Sequence, residues 1–191
     1  MKNTIKVLAL LVALSALPAL AKADPVFAVI LTGANENPAN ASPGIGNALI
    51  TFSGNFMTVN VTFSGLLGNT TASHIHCCGP GGTNQMVATA VPTFPGFPLG
   101  VQFGTYLQTF DMSLASSYNP AFITAHGGTV AQAQADFFAG VLAGGSYLNI
   151  HTNLFPGGEI RGQLTPEPVT LVLLGTGLAG VVGVVRRRRK M

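Results

Sequence analysis

Residues 56–64 alternate without a break. Met57, Val59, Val61 and Phe63 are apolar while Thr58, Asn60, Thr62 and Ser64 are polar, the period of a strand with one face buried. The run 47–53 (Asn-Ala-Leu-Ile-Thr-Phe-Ser) precedes it, and Gly54-Asn55 lies between them. A two-residue break of that composition predicts a hairpin. Two more strand patterns cover 146–152 and 159–165, joined by Phe155-Pro156-Gly157-Gly158.

One segment has a different period. In 129–145, Val130, Phe137, Val141 and Leu142 fall near helical spacing, Thr129 and Gln132 are placed as a capping box, and Gly144-Gly145 is a stop. This predicts a single helix crossing one end of the sheets. Residues 91–107, rich in Pro, Gly and Phe, read as a long ordered loop with an edge strand at Gly100–Tyr106. Short strands separated by turn residues predict a mainly β domain, an antiparallel sandwich or barrel-like, immunoglobulin-like fold with one short helix.

The ends follow other rules. Lys2 and Lys6 precede an apolar run from Val7 to Leu17, Pro18 breaks it, and Ala21 and Ala23 are the small residues that signal peptidase reads. Residues 1–23 are therefore expected to be an export signal. At the other end Pro166-Glu167-Pro168 is followed by an uncharged run over 169–185 and a basic tail over 186–190. Seventeen helical residues span roughly 25 Å, enough for a short transmembrane helix. The basic tail places that end in the cytoplasm and the domain at 24–165 outside.

Charge must be read by region. The whole chain carries a formal +3, but the Lys and Arg of the two ends account for it. Between Asp24 and Thr165 five carboxylates face the single guanidinium of Arg161, a net −4. No nucleic-acid partner is expected, because phosphate binding needs clustered cations.

The three-part C-terminus over 166–191 closely resembles the PEP-CTERM sorting signal. That resemblance implies recognition near Pro166-Glu167-Pro168 by an exosortase, a membrane transpeptidase, and delivery to the cell surface or an extracellular polymer matrix. The alternative is a permanent single-pass anchor. Across the domain, Leu31 to Pro38, Gly44 to Ala48, Ser73 to His76, Gly145 to Thr152 and Pro156 to Leu164 resemble the CHRD domain. That family implies an extracellular β-sandwich-like module whose activity is largely undefined. Cys77-Cys78 departs from the pattern, since many relatives run from the paired histidines straight into a Gly-rich turn.

The candidate chemistry gathers in 73–82, Ser-His-Ile-His-Cys-Cys-Gly-Pro-Gly-Gly. Strand residues two apart project from one face, so His74 and His76 point together. If the strand carrying His151 is a neighbour, three imidazoles converge, the ligand count of a catalytic zinc site and one that also suits copper. The alternative is a set of hydrogen-bonded histidines. The Cα atoms of adjacent cysteines are closer than an ordinary disulfide prefers. Cys77 and Cys78 therefore leave a vicinal disulfide, intermolecular pairing, thiolate ligation beside His74 and His76, or free thiols.

His126 is expected in a solvent-facing loop, and Glu159 and Arg161 on one strand face, where a mutual or cross-strand ion pair is the default. No paired carboxylate accompanies Asp111 or Asp136 to supply a general acid and base. The favoured expectation is a non-enzymatic binding or structural module without a cofactor, with exopolysaccharide or surface proteins as partners. The alternative is a copper- or zinc-binding, metalloredox protein built on His74, His76 and His151.

Overall fold

The computed structural model describes residues 24–165. Its strands are β1 (Val26–Thr32), β2 (Ile45–Ser53), β3 (Phe56–Ser64), β4 (Thr70–Cys77), β5 (Met86–Val87), β6 (Gly104–Asp111), β7 (Tyr147–Thr152) and β8 (Ile160–Gln163). All pair antiparallel in one sheet of order β5-β4-β7-β8-β1-β2-β3-β6, which curls into a half-barrel. Two helices, α1 (Pro120–Ala125) and α2 (Val130–Leu142), pack into the core that the sheet's apolar face forms.

The alternation at 56–64 does what its period requires. Met57, Val59, Val61 and Phe63 are buried, and their partners on β2, Ala48, Ile50 and Phe52, fill the same core. The β2–β3 turn is Gly54-Asn55, with Gly54 at φ 57°, a conformation that favours glycine. Helix α2 closes the core through Ala133, Phe137 and Val141, with Phe52 meeting Phe138 edge to face at 5.1 Å. Burying a side chain such as Phe137 contributes about 1.5–3 kcal/mol.

Thr129 caps α2, its hydroxyl accepting from the Gln132 N–H at 3.2 Å. The reciprocal half of the capping box does not form, because the Gln132 amide donates instead to Asp136 at 2.8 Å. Helix α1 was not expected, since six residues hold too little periodicity to register. Strand β1 also escaped the pattern: Val26 and Ile30 are apolar yet exposed, which hides the alternation. The edge strand lies at Gly104–Asp111 rather than Gly100–Tyr106, because Gly104 pairs with Phe63 and fixes the register from there.

The two halves of the sheet treat their outer faces differently. On β1, β2 and β3 the outward residues are mostly exposed. On β4 and β7 nearly every residue of both faces is buried. Loops between β1 and β2, β4 and β5, and β7 and β8 fold over that polar face, as their hydrogen bonds to Arg161, His76 and His151 show. Among the described residues no helix is long and apolar enough to cross a membrane. The export signal at 1–23 and the sorting segment at 166–191, with its membrane helix, lie outside the described residues.

Candidate metal centre

The covered polar face holds the histidines. Strand β4 pairs with β7 so that His76 lies opposite Tyr147, His74 opposite Asn149 and Ala72 opposite His151. A register shift between Thr70 and Ala72 marks a bulge next to this cluster, a common device for re-aiming side chains beside a site. His74, His76 and His151 thus project from one face, and one ring nitrogen of each lies within 4.8 Å of the other two.

Each ring is fixed by a backbone carbonyl. His74 Nε2 donates to Pro92 O at 2.7 Å, His76 Nδ1 to Gln85 O at 2.8 Å, and His151 Nδ1 to Pro156 O at 2.9 Å. A carbonyl only accepts, so each bonded nitrogen carries the proton and the opposite nitrogen keeps a lone pair. Those opposite atoms, His74 Nδ1, His76 Nε2 and His151 Nε2, are buried without a hydrogen-bond partner. A carbonyl behind each imidazole is the arrangement that orients metal-binding histidines.

Burial also keeps the rings neutral. It is the main cause that lowers His74 and His76 from 6.5 to about 4, with the Pro92 and Gln85 carbonyls opposing it and the neighbouring histidines, with Arg161 at His76, adding to it. Burial lowers His151 as well. Neutral imidazoles are the form that binds metal. Ligand bonds of about 2.0–2.1 Å in a tetrahedral site put nitrogens roughly 3.4 Å apart, so from 4.8 Å the nitrogens close by up to about 1.4 Å around an ion.

Behind the ligands stands an aromatic and cationic stack. The Tyr147 ring lies parallel to His76 at 4.6 Å, and the Arg161 guanidinium sits 4.5 Å from the Tyr147 centroid. Arg161 donates to Asn35 O at 2.6 Å, Asn84 Oδ1 at 3.0 Å and Gly82 O at 3.3 Å. Its nearest carboxylate is Glu36, at 3.9 Å. Burial outweighs Arg161 there and raises the Glu36 carboxyl to about 7.

Glu159 and Arg161 do not pair with each other; the ion pair that Arg161 makes is with Glu36. Glu159 precedes β8 and turns away, accepting from Ser42 Oγ at 2.6 Å, Gly68 N at 3.1 Å, Thr152 Oγ1 at 2.7 Å and the Leu67 N–H. Burial pushes its carboxyl up, but these four donors together outweigh it and hold it below the usual range. His126 is not in an open loop: it caps α1, stacks on Phe122 at 4.0 Å and bonds Asp136 at 2.9 Å.

Cys77 and Cys78 are disulfide-bonded to each other. They lie against α2, where a Cβ added at Gly140 would come within 2.5 Å of both sulfurs. Cys77 faces the core, opposite to His76, so its sulfur turns away from the imidazoles. Sequence reasoning missed the carbonyls behind the rings entirely. Pro156 stood in a recognised turn and Gln85 and Pro92 in loops, and nothing in a residue's identity tells where its carbonyl points.

The fold and this centre define a class: a β-domain that encloses three carbonyl-locked imidazoles under its surface loops. The CHRD domain family model matches residues 27–164, and the chain belongs to that family. The PEP-CTERM protein-sorting motif matches residues 164–189, marking the chain for the exosortase pathway and the cell surface. No curated protein and no solved structure matches the chain.

Proposed function

We propose that this CHRD-domain protein is a surface-delivered metal-binding module that holds one copper or zinc ion on His74, His76 and His151. The observation that carries this is the set of three buried, unpartnered ring nitrogens, each opposite a nitrogen committed to a carbonyl. Hydrogen-bonded core histidines would spend both nitrogens, because an unsatisfied buried acceptor costs about 1–3 kcal/mol. Three such costs in one place make sense when an ion recovers them together. Imidazole nitrogen suits both copper and zinc.

The module binds rather than catalyses. Glu159 is committed to four donors and Glu36 to Arg161 and Asn149, so neither is free to act as a base at the centre. Elemental analysis of the protein purified from the cell surface tests the reading. One copper or zinc per chain is expected, and His151→Ala should abolish it. His151 is the least buried of the three, so the variant should keep its fold. A metal-free wild type after copper and zinc loading would overturn the reading.

A further inference from the structure

The charge around the three histidines bears on which ion they hold, an inference that rests on the three-imidazole reading. The ligand set contains no anion. The groups directly behind the ligands add none either: the N–H groups of all three rings are taken up by backbone carbonyls. Carboxylates in those positions would raise the basicity of the rings and lend the centre negative charge.

The full charge stacked behind the ligands is positive. Arg161 lies over Tyr147, and Tyr147 lies parallel against His76. Arg161 is 3% exposed, so water screens it poorly, and its three hydrogen-bond acceptors are all neutral. Glu36 faces the guanidinium at 3.9 Å as a buried ion pair and offsets part of its charge, but no carboxylate hydrogen-bonds to it directly. At an effective dielectric near 20, a buried cation about 10 Å from an ion disfavours a dication over a monocation by up to about tenfold, less whatever the paired carboxylate offsets.

Ligand number points the same way. Zinc takes four protein ligands at a structural site and three plus a water at a catalytic one, and three ring nitrogens meet here. Monovalent copper, with its lower charge, is satisfied by three nitrogens in a plane and needs no added water. His74 and His76 are only 6% and 8% exposed, which restricts the water a dication would need to complete its shell.

We propose that the centre selects copper(I) over copper(II) and zinc(II), with the Arg161–Tyr147 stack as the positioning element that sets this preference. The test is a set of competition titrations of the purified protein, with bicinchoninate for copper(I) under anaerobic conditions and nitrilotriacetate for copper(II) and zinc(II). The expected result is a copper(I) Kd at least about tenfold below the copper(II) Kd, which places the bound couple at least about 59 mV above that of aqueous copper.

Arg161→Gln should narrow that ratio by raising copper(II) affinity. A purely structural role would weaken both ions alike. Should Arg161→Gln fail to fold, the wild-type ratio still decides. Copper(II) or zinc(II) bound more tightly than copper(I), at one ion per chain, would overturn this selectivity and leave the metal module standing. No binding of any of the three would remove both.

Discussion

The rings of His74 and His151 lie 5.2 Å apart, centroid to centroid, across the β4–β7 pair. They are diagonal neighbours: His74 is opposite Asn149, and His151 is opposite Ala72. Diagonal side chains on adjacent strands are within reach of one another when they are long or aromatic. A shift of one residue in the pairing would send every side chain of one strand to the other face. The centre therefore depends on register, and the bulge between Thr70 and Ala72 helps to set it.

Acid should destabilise the metal-free protein over a defined window. Unfolded histidine takes a proton near 6.5, whereas folded His74 and His76 resist until about 4. The unfolded state then binds more protons between those values, so stability is full above pH 6.5 and falls as pH drops toward 4. Glu36 works in the opposite sense. Its folded carboxyl holds a proton up to about 7 against 4.5 unfolded, so its contribution falls as pH rises. Glu36→Gln should steepen the acid-side loss in urea midpoints measured from pH 7 to 4. An unchanged or shallower slope would contradict this balance.

Glu159 ties together the loops and strands beside the centre. Glu159→Gln replaces an acceptor by a group that presents hydrogens to Gly68 N–H, Leu67 N–H and Thr152 Oγ1. Hydrogen bonds to a charged group contribute about 1.5–3 kcal/mol each, so the expected loss is roughly 3 kcal/mol in urea unfolding. Metal stoichiometry should stay at one. A loss under about 0.5 kcal/mol would show that the carboxylate is not a structural tie.

Gly140 sits inside α2, where alanine is worth about 1 kcal/mol more than glycine by helix propensity. A Cβ there would meet Cys77 Sγ and Cys78 Sγ at 2.5 Å. Gly140→Ala is expected to lower the thermal midpoint despite the better propensity. A raised midpoint would mean that the disulfide does not pack against the helix.

Sorting makes a separate prediction. The chain recovered from the cell surface should end near Pro166-Glu167-Pro168 and lack the Arg186 to Lys190 tail. Intact-mass spectrometry of the surface fraction decides it. A surface chain that keeps Arg186 to Lys190 would contradict exosortase removal of that end.

Legibility followed the periodicity. The β2–β3 hairpin and the cap of α2 could be read because their faces differ in polarity. β1 could not, because Val26 and Ile30 are apolar and exposed. On the site side, the spacing of two placed His74 and His76 together. Only the β4–β7 register, a long-range property, brought His151 to them. The carbonyls of Gln85, Pro92 and Pro156 were invisible, since any residue supplies one. Glu159 and Arg161 looked like a pair by spacing, but Glu159 lies outside β8 and belongs to the loops.

The central claim is that three imidazoles, and no sulfur, hold one metal ion. X-ray absorption at the metal edge of the loaded, purified protein measures that shell directly. The account predicts about three nitrogen scatterers near 2.0–2.1 Å with the outer-shell signature of imidazole and no sulfur at about 2.3 Å. A sulfur shell, or a shell of oxygens alone, would place the ion elsewhere and contradict the account.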